Sequence, residues 1–378
     1  MLSFKVLKKS SRSSARLGIL STPHGDIETP AFVPVATRAS VRTLPSHEVV
    51  ASGAQLLIAN TFHLHITPGE KIVKDAGGIH TFMHWNKPLM TDSGGFQVFS
   101  MGFGTDHGMG KILDEKPDES ITPGIQPKKI QITEDGVFFR SPKDGSKLFI
   151  GPKESIRIQE QLGADIMYAF DECPSPLANA EYMHASLEKT HRWAQVCLNA
   201  RTGSQALYGI VQGGSFKDLR AKSAQVIGAM GFDGFGIGGE FGYNKENLRD
   251  VVAHTNAHLP EDKPRHLLGV GHPEDFPFIV ESGADTFDCI APTHYARHGT
   301  LFTSVGRLNM TNAQHIESHT VIDPTCLCPV CTSYSRAYLS HLFRSHEVSA
   351  LTLATIHNLH YLNALAKQMR EKIARDEI

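Results

Sequence analysis

The sequence has almost no excess charge and no long apolar run. It contains 37 lysines and arginines against 39 aspartates and glutamates in 378 residues, so its net charge is -2. Bulk charge therefore does not indicate a nucleic-acid or membrane partner, although a local patch can still bind one. No apolar run approaches the length that spans a bilayer, so we expect no membrane segment. The hydrophobic content of 40% is enough for a large core.

Cysteine is scarce too, with six residues in the chain, and half of them lie in one short stretch. Cys326, Cys328 and Cys331 have the spacing C-x-C-x2-C, which suits a soft tetrahedral cation such as zinc. The alternative is three incidental buried cysteines. A fourth ligand would come from the histidines downstream, which are His341, His346, His357 and His360. One of them would close the site, so we predict one structural zinc ion per chain.

The N-terminal segment lacks the features of a secretory signal. Residues 1–19 are basic but have no apolar core and no small-residue cleavage site. A transit peptide is the alternative, but two short apolar runs around a polar turn favour a pair of strands. The other three cysteines are scattered, and together with a thiolate metal site this favours a reducing, cytoplasmic compartment.

Short apolar runs alternate with helical patterns along the chain. Eight runs predict β-strands at Phe32–Val35, Leu56–Ala59, Pro88–Thr91, Asp165–Phe170, Leu207–Val211, Gly234–Ile237, His266–Leu268 and Thr286–Ile290. The helical patterns cover Ser46–Ser52, Pro152–Leu162, Ala178–Arg201, Phe216–Met230, Lys245–His258, Pro273–Glu281 and Ala350–Ile378. This alternation predicts an α/β fold, a (β/α)8 TIM barrel. A doubly wound sheet is the alternative, but no glycine-rich dinucleotide fingerprint follows the first strand.

One segment interrupts the alternation. Residues 102–150 begin with a stretch rich in glycine, proline and charge and continue with three short alternating runs, Lys129–Ile132, Gly136–Phe139 and Lys147–Ile150. We interpret this segment as an insertion of antiparallel β-structure. The predicted organisation is a catalytic barrel over residues 1–300 and a C-terminal zinc-binding subdomain with a closing helix over residues 301–378.

Polar residues follow almost every predicted strand, at the end where a barrel of this type carries its chemistry. Three carboxylates, Asp92, Asp171 and Asp288, would meet at this rim. The simplest alternative is that each one is a helix N-cap. Together they suit either a hard metal ion or covalent chemistry at a sugar carbon. Phe96 can stack on a flat ligand, and Asp171 with Gln212 can pair with the edge of a guanine.

Six motifs in one order resemble the tRNA-guanine transglycosylases. They are TDSGGFQVFS (91–100), FDECPSP (170–176), GIVQGG (209–214), GFGIGG (234–239), LLGVGHPED (267–275) and FDCIAPTHYARHG (287–299). The resemblance implies a zinc-containing (β/α)8 barrel that exchanges the wobble guanine of certain tRNAs for a 7-deazaguanine base. It also implies a homodimer, and His357 matches the fourth zinc ligand of the family.

The resemblance implies roles for individual residues. Asp288 matches the nucleophile that forms a covalent ribosyl intermediate, and Asp92 matches the general acid/base. The residues that match the base pocket are Ser93, Phe96, Asp171, Cys173, Gln212, Gly238, Gly239, Gly242 and Leu268. The residues that match two RNA-contacting loops are Gly269, Val270, Gly271, His272, Pro273, Glu274, Asp275, Thr293, His294, Tyr295, Ala296 and Arg297. Candidate phosphate contacts are Arg38, Arg307, Arg336 and Arg344.

The sequence departs from the common bacterial pattern of this family. Phe96 replaces the usual tyrosine, His294 replaces the usual arginine, and the segment Glu115–Lys128 is longer than usual. Gly242 stands where bacterial members have valine, as in the eukaryotic members that use queuine. A smaller residue would leave room beside the 7-substituent, so we expect queuine to be preferred to 7-aminomethyl-7-deazaguanine. Glu240 can meet that substituent.

Two other functions are compatible with such a barrel. A catalytically silent tRNA-binding accessory subunit would lack the catalytic aspartates, whereas Asp92 and Asp288 are both present. A hydrolytic glycosidase would leave the cysteine cluster and the anticodon-loop motif unexplained. The expected function is therefore base exchange in tRNA.

Overall fold

The computed structural model describes residues 2–100, 130–175, 178–239 and 245–378, without the side chains of residues 245–247. The predictions for Gly242, for Glu240 and for the segment Glu115–Lys128 concern residues outside these ranges.

The described secondary structure consists of short strands and of helices of varied length. The strands are β1 (Ser3–Lys9), β2 (Arg16–Thr22), β3 (Gly25–Thr29), β4 (Ala31–Pro34), β5 (Leu57–Ala59), β6 (Leu89–Thr91), β7 (Gln131–Ile132), β8 (Val137–Arg140), β9 (Lys147–Ile150), β10 (Ile166–Tyr168), β11 (Ala206–Val211), β12 (Gly234–Ile237), β13 (Arg265–Leu267), β14 (Thr286–Cys289), β15 (Thr300–Thr303) and β16 (Gly306–Asn309). The helices are α1 (Ser46–Ala51), α2 (Thr61–Ile66), α3 (Glu70–Asp75), α4 (Ile79–Met83), α5 (described over residues 95–100), α6 (Pro152–Leu162), α7 (Ala180–Ala200), α8 (Lys217–Gly228), α9 (Lys245–Ala257), α10 (Phe276–Glu281), α11 (Ala291–Arg297), α12 (Pro329–Ser333), α13 (Arg336–Arg344) and α14 (Val348–Ala374).

Eight parallel strands close into a barrel. Strands β4, β5, β6 and β10 to β14 follow one another in chain order around the sheet, and β14 pairs with β4. A parallel bridge between Val35 and Ile58 joins β4 to β5, and the amide of Ala36 donates to the carbonyl of Ile58 at 2.8 Å. The predicted (β/α)8 barrel is confirmed, and the doubly wound alternative is wrong.

Two aromatic side chains fill the interior of this barrel. Tyr168 and Tyr208 are fully buried, and their rings meet edge to face with centroids 5.4 Å apart. The adjacent strand β12 has no side chain where the rings lie: a Cβ atom on Gly234 would come within 2.5 Å of the Tyr208 ring, and one on Gly236 within 2.8 Å of the Tyr168 ring. The glycine repeat of β12 is therefore a packing requirement of the barrel.

An antiparallel sheet covers the end of the barrel at which the strands begin. Strands β1, β2 and β3 form this sheet, so the predicted N-terminal strand pair is confirmed. Leu20 and Ile27 belong to the same apolar cluster as the barrel interior. The guanidinium of Arg16 donates to both oxygens of Asp285, at 2.9 and 2.7 Å, and both side chains are buried. Removing one partner of such a pair leaves an uncompensated buried charge, which typically costs about 3–5 kcal/mol.

Two histidines share a buried carboxylate at the same end of the barrel. His24 Nδ1 lies 2.7 Å and His80 Nε2 lies 3.4 Å from the oxygens of Asp165, which also accepts from the amide of Leu89 at 2.9 Å. The three side chains are close enough together to suggest a metal ion. However, the imidazole rings stack at 3.7 Å with their planes 16° apart, so their in-plane lone pairs do not converge on one ion. We interpret the group as a hydrogen-bonded support for β6 and β10.

The predicted insertion contains the antiparallel strands expected of it. Strands β7, β8 and β9 pair in order, although the predicted start at Lys129 lies outside the described residues. The sheet packs against the barrel's helices: the Trp193 indole donates to the carbonyl of Glu134 at 2.6 Å, and the Phe62 and Phe139 rings lie 5.5 Å apart.

Strands β15 and β16 follow the barrel, and helix α14 returns the chain to it. The helix packs against α11, against β15 and against the first barrel strand, β4. Arg370 Nη1 donates to the carbonyl of Pro30 at 2.9 Å, and Lys8 Nζ donates to that of Ala374 at 2.7 Å. Among the described residues, no helix is long and apolar enough to cross a membrane. The division into residues 1–300 and 301–378 stays a prediction.

Candidate active site and metal centre

A cavity of about 950 Å³ opens at the end of the barrel where the strands finish. The predicted residues that line it are Asp92, Ser93, Phe96, Asp171, Cys173, Gln212, Gly238, Gly239, Leu268, Gly269, Val270, His272, Glu274, Asp275, Asp288, Thr293, Tyr295 and Arg297. Gly271, Pro273, His294 and Ala296 belong to the same loops but do not line the cavity. Asp92, Asp171 and Asp288 thus lie around one cavity, as the sequence predicted.

Asp288 lies at the end of β14, and its carboxylate oxygen Oδ1 is in contact with Gly269 and His266. The amide of Gly269 donates to Oδ1 at 2.7 Å, and His266 Nε2 lies 3.1 Å from the same oxygen. The Asp288 side chain is 13% exposed, whereas that of His266 is completely buried. The carboxylate is thus fixed at the floor of the cavity, where it can contact a ligand.

Asp92 follows β6 and accepts hydrogen bonds on both of its carboxylate oxygens. The amides of Thr61 and Gly94 donate to Oδ1 at 2.8 and 3.1 Å, while the side chains of Asn60 and Gln97 donate to Oδ2. Burial raises the pKa of Asp92 above its ordinary value, against the opposing effect of these hydrogen bonds. A carboxyl group with a raised pKa is suited to taking up and returning a proton.

Tyr168 shows that the two carboxylates share one environment. Its ring forms part of the cavity floor. The pKa of this phenol is raised first by burial and then by the negative charges of Tyr208, Asp288 and Asp92. Both carboxylates therefore act on the same hydroxyl, so Asp92 and Asp288 face one site from different strands.

Asp171 and Gln212 form a polar edge on the cavity wall. Gln212 Nε2 donates to Asp171 Oδ2 at 2.6 Å, and the Ser93 hydroxyl donates to Oδ1 at 3.2 Å. Gln212 Oε1 is buried and has no hydrogen-bond partner among the described residues. An unpaired buried acceptor beside a carboxylate is the complement of a ligand that carries neighbouring N–H groups.

Glycine is required at Gly239, next to this edge. Its φ is +86°, and a Cβ atom there would collide with Gln212 Oε1. The backbone can therefore approach the polar edge closely. Phe96 is 37% exposed and lines the cavity on the side of α5, and Leu268 lines it after β13. The site combines a polar edge with apolar surfaces, as a planar heterocycle requires.

Positive side chains surround the mouth of the cavity. Arg42, Arg297 and Arg307 line it, and His63 lies in the same lining. The pKa of His63 is lowered first by burial and then by the charges of Arg38 and Arg42. Arg307 donates to the hydroxyl of Tyr295 at 3.0 Å and pairs with Glu274. A cationic rim above carboxylates favours a polyanionic ligand whose reacting group enters the cavity.

Three of the four candidate phosphate contacts are used within the chain, and Arg307, with its contacts to Tyr295 and Glu274, is one of them. Arg336 donates to the carbonyls of Val321 and Ile322 at 3.0 and 2.8 Å, and Arg344 donates to that of Thr311 at 3.1 Å. These contacts connect turns of the C-terminal region.

Sequence reasoning missed three side chains that contact Asp92 or Asp288. Asn60 follows the second barrel strand and Gln97 lies in the TDSGGFQVFS motif, so their positions at strand ends were a usable signal. His266 lies inside β13 and gave no signal, because a histidine in a buried strand is indistinguishable in sequence from one that only packs. Arg42 and His63 of the rim were missed for a similar reason.

The C-terminal cysteines and one histidine converge as predicted. His357 Nδ1 lies 3.9, 3.5 and 3.3 Å from the sulfurs of Cys326, Cys328 and Cys331. Tetrahedral coordination with Zn–S near 2.3 Å and Zn–N near 2.05 Å places sulfur and nitrogen about 3.6 Å apart. His357 Nε2 donates to the carbonyl of Phe302 at 2.7 Å, which directs Nδ1 towards the sulfurs. These four side chains could bind a metal ion.

Comparison with known proteins agrees with the resemblance seen in the sequence. The family model described as queuine tRNA-ribosyltransferase matches residues 10–378. Proteins named queuine tRNA-ribosyltransferase from Moorella thermoacetica, Thermoanaerobacter pseudethanolicus and Lactococcus lactis are 44%, 45% and 43% identical to this chain. Each match covers 100% of this chain and 95%, 95% and 93% of the respective relative. The chain therefore belongs to the queuine tRNA-ribosyltransferase family, the tRNA-guanine transglycosylases.

Proposed function

We propose that this enzyme exchanges the wobble guanine of tRNA for a 7-deazaguanine base through a covalent intermediate on Asp288. The observation that carries the proposal is the meeting of Asp92, Asp288 and the polar edge of Asp171 and Gln212 in one cavity. The printed names of the relatives, queuine tRNA-ribosyltransferase, support the same activity.

The chemistry is a double displacement at the ribose. The carboxylate of Asp288 donates an electron pair to C1′ of the wobble nucleotide while the bond from C1′ to N9 of guanine breaks. Guanine leaves with that pair and takes a proton at N9 from the carboxyl group of Asp92. Asp92 removes the proton from N9 of the incoming base. That nitrogen then attacks C1′ and returns the bonding pair to Asp288. Two inversions retain the configuration of the sugar, as in a retaining glycosidase.

The walls of the cavity support recognition of the base. Asp171 and Gln212 Oε1 offer acceptors to the ring N–H and the exocyclic amine of guanine or of a 7-deazaguanine. Ser93 and the backbone at Gly239 complete this edge. Phe96 and Leu268 would cover the faces of the ring, once the nucleotide has left the anticodon stack.

The loops after β13 and β14 are proposed to hold the flanking nucleotides. Arg297 and His272 line the cavity there, together with Arg42 and Arg307 of the rim. Ala296 is buried, so the RNA contacts of this loop are proposed for the residues beside it, Tyr295 and Arg297. A cytoplasmic location stays a prediction.

Replacing the nucleophile tests the mechanism. Wild-type protein incubated with an anticodon stem-loop that carries a wobble guanine should give a covalent adduct on a denaturing gel. Asp288→Asn should give none, and its exchange activity should fall by about 10⁴-fold or more, because the amide cannot attack C1′. Glu261→Gln, at an exposed carboxylate that pairs with Lys9 and does not line the cavity, should still form the adduct.

Two outcomes would contradict this mechanism. An adduct with Asp288→Asn would assign the attack to another residue. The lack of an adduct with the wild type, with RNA binding intact, would favour the accessory-subunit function.

We propose that Cys326, Cys328, Cys331 and His357 bind a structural zinc ion. The measured separations of sulfur and nitrogen fit tetrahedral zinc, and thiolate with imidazole is a donor set that zinc prefers. The ion would connect the turn at residues 326–331 to α14. It takes no part in the exchange reaction.

Metal content and stability test this ligand set. Purified wild type should contain one zinc per chain. His357→Ala should lose the zinc and lower the free energy of unfolding by several kcal/mol, because metal binding stabilises only the folded state. The matched control is His360→Ala, whose Nδ1 lies 3.8 Å from the Cys326 sulfur. Retention of zinc in His357→Ala together with its loss in His360→Ala would make His360 the ligand.

We propose that queuine is preferred to 7-aminomethyl-7-deazaguanine as the incoming base. The support is Gly242, which the resemblance to the family places where the common bacterial pattern has valine. Incorporation of each base into tRNA with a wobble guanine measures the preference. Gly242→Val should reduce incorporation of queuine by about tenfold and leave that of the smaller base nearly unchanged. A wild type that strongly prefers the aminomethyl base would overturn this proposal.

We propose that two copies of the chain form a homodimer through the C-terminal region. Val321, Tyr334 and Tyr338 are 41%, 37% and 44% exposed, and the two tyrosine rings stack at 5.2 Å. A bridge between Val321 and Ser335 brings the segment of Val321 next to the segment that leads to the two tyrosines. Such an exposed apolar patch is typical of an interface.

Sedimentation equilibrium tests the dimer. The wild type should sediment as a dimer, and Tyr334→Glu/Tyr338→Glu should shift it towards the monomer, because a buried carboxylate without a partner destabilises an interface. Leu7→Glu, at a 55% exposed leucine of β1, is the matched control and should remain dimeric. A monomeric wild type at micromolar concentration would contradict the proposal.

A further inference from the structure

His266 is a completely buried histidine in contact with the reacting carboxylate. Its Nε2 lies 3.1 Å from Asp288 Oδ1, which also accepts from the Gly269 amide at 2.7 Å. On the other side of the ring, Nδ1 lies 2.8 Å from the hydroxyl oxygen of Thr286. The ring therefore bridges two side chains of β14, Thr286 and Asp288, from the neighbouring strand β13.

The hydrogen-bond pattern determines which ring nitrogen of His266 carries the hydrogen that is donated to Asp288. A carboxylate oxygen only accepts, so Nε2 carries the hydrogen and donates to Asp288 Oδ1. Thr286 occupies the other nitrogen and keeps the ring in this orientation. The Tyr168 ring, 5.8 Å away, restricts the imidazole further. Two donors, one from a side chain and one from the backbone, therefore point at a single oxygen of the nucleophile.

We propose that His266 is a positioning residue that favours the departure of Asp288 from the covalent intermediate. The proposal rests on the function proposed above. In the proposed intermediate the bond to C1′ forms through Oδ2, so that His266 and Gly269 keep their contacts with Oδ1. Asp288 is then an ester whose carbonyl oxygen is Oδ1, and the negative charge of the carboxylate is lost.

The second displacement restores that charge. Nitrogen N9 of the incoming base bonds to C1′, the C1′–Oδ2 bond breaks, and its electron pair returns to the carboxylate. Half of the returning charge develops on Oδ1, where the two N–H groups already point. Donors placed where charge develops lower the barrier to that step, as in an oxyanion hole.

The same two donors do not lower the barrier to the first displacement, in which the carboxylate loses its negative charge. They stabilise the starting carboxylate more than the ester, so they do not accelerate the attack. Loss of the His266 donor should therefore slow release of the intermediate far more than its formation. A residue that only supported the fold would slow both steps together.

The experiment measures the two rates separately in the full-length, zinc-loaded protein. Formation of the adduct is followed with excess protein and a wobble-guanine stem-loop on denaturing gels. Release is followed after addition of labelled guanine, which regenerates RNA without depending on the preference for a modified base. His266→Leu removes the donor, whereas His266→Gln keeps an amide N–H near the position of Nε2.

His266→Leu is expected to slow release by about 10- to 100-fold, within the range measured for loss of one donor to a developing charge. Formation should change by less than about threefold, so the adduct accumulates. His266→Gln should restore release at least partly. Thr286→Val, which leaves the ring but removes its second partner, should have a smaller effect of the same kind. His258→Gln, at a histidine on the outer side of the barrel, should change neither rate.

Equal slowing of both steps in His266→Leu, or no slowing of release, would overturn the proposal. If the leucine variant fails to fold, His266→Gln and Thr286→Val decide the question. Release at the wild-type rate in Thr286→Val, together with slowed formation in His266→Gln, would contradict the proposal. Lack of an adduct in the wild type would instead reject the proposed function. This outcome is distinguishable from the results that contradict the role of His266, because those results all require that the wild type forms the adduct.

Discussion

The two buried tyrosines inside the barrel impose a constraint on which the rest of the site depends. Tyr168 and Tyr208 can occupy the interior only because β12 presents glycine at positions 234 and 236. Their rings fill the space beneath the cavity, and Tyr168 separates the catalytic rim from the apolar interior. The carboxylates at the strand ends therefore rest on a packed and nearly incompressible layer, which fixes their relative positions.

Each carboxylate above this layer is controlled by its own donors. Asp92 accepts from two backbone amides and two side-chain amides, and burial still raises its pKa. Asp288 accepts from one amide and one imidazole and stays partly exposed. Residues of the same type thus acquire different properties, one suited to proton transfer and the other to attack. The difference comes from neighbouring loops and strands, as in other pairs of catalytic carboxylates.

The barrel and the metal cluster were predictable because their signals are local. Alternating apolar runs placed each barrel strand to within about two residues, and the short cysteine spacing indicated the metal ligands. Helices α2, α3 and α4 were not predicted, and each has only five or six residues, over which an apolar period is weak. The equally short α1 was predicted, so length alone does not explain the difference. The contacts of His266 and the rim position of Arg42 depend on distances between strands far apart in the chain. The periodicity of apolar residues contains no information about such distances. The family motifs indicated site residues only inside the motifs, and His266 and Arg42 lie outside them.

Helix α14 carries His357, and the same helix packs against strands β4 and β2. On a ribosome, β4 leaves the exit tunnel more than 300 residues before this helix does. The outer surface of the first barrel strand must therefore wait, uncovered, through most of translation. Completion of the barrel and assembly of the cluster of Cys326, Cys328, Cys331 and His357 then become events of the same late stage, because one helix serves both.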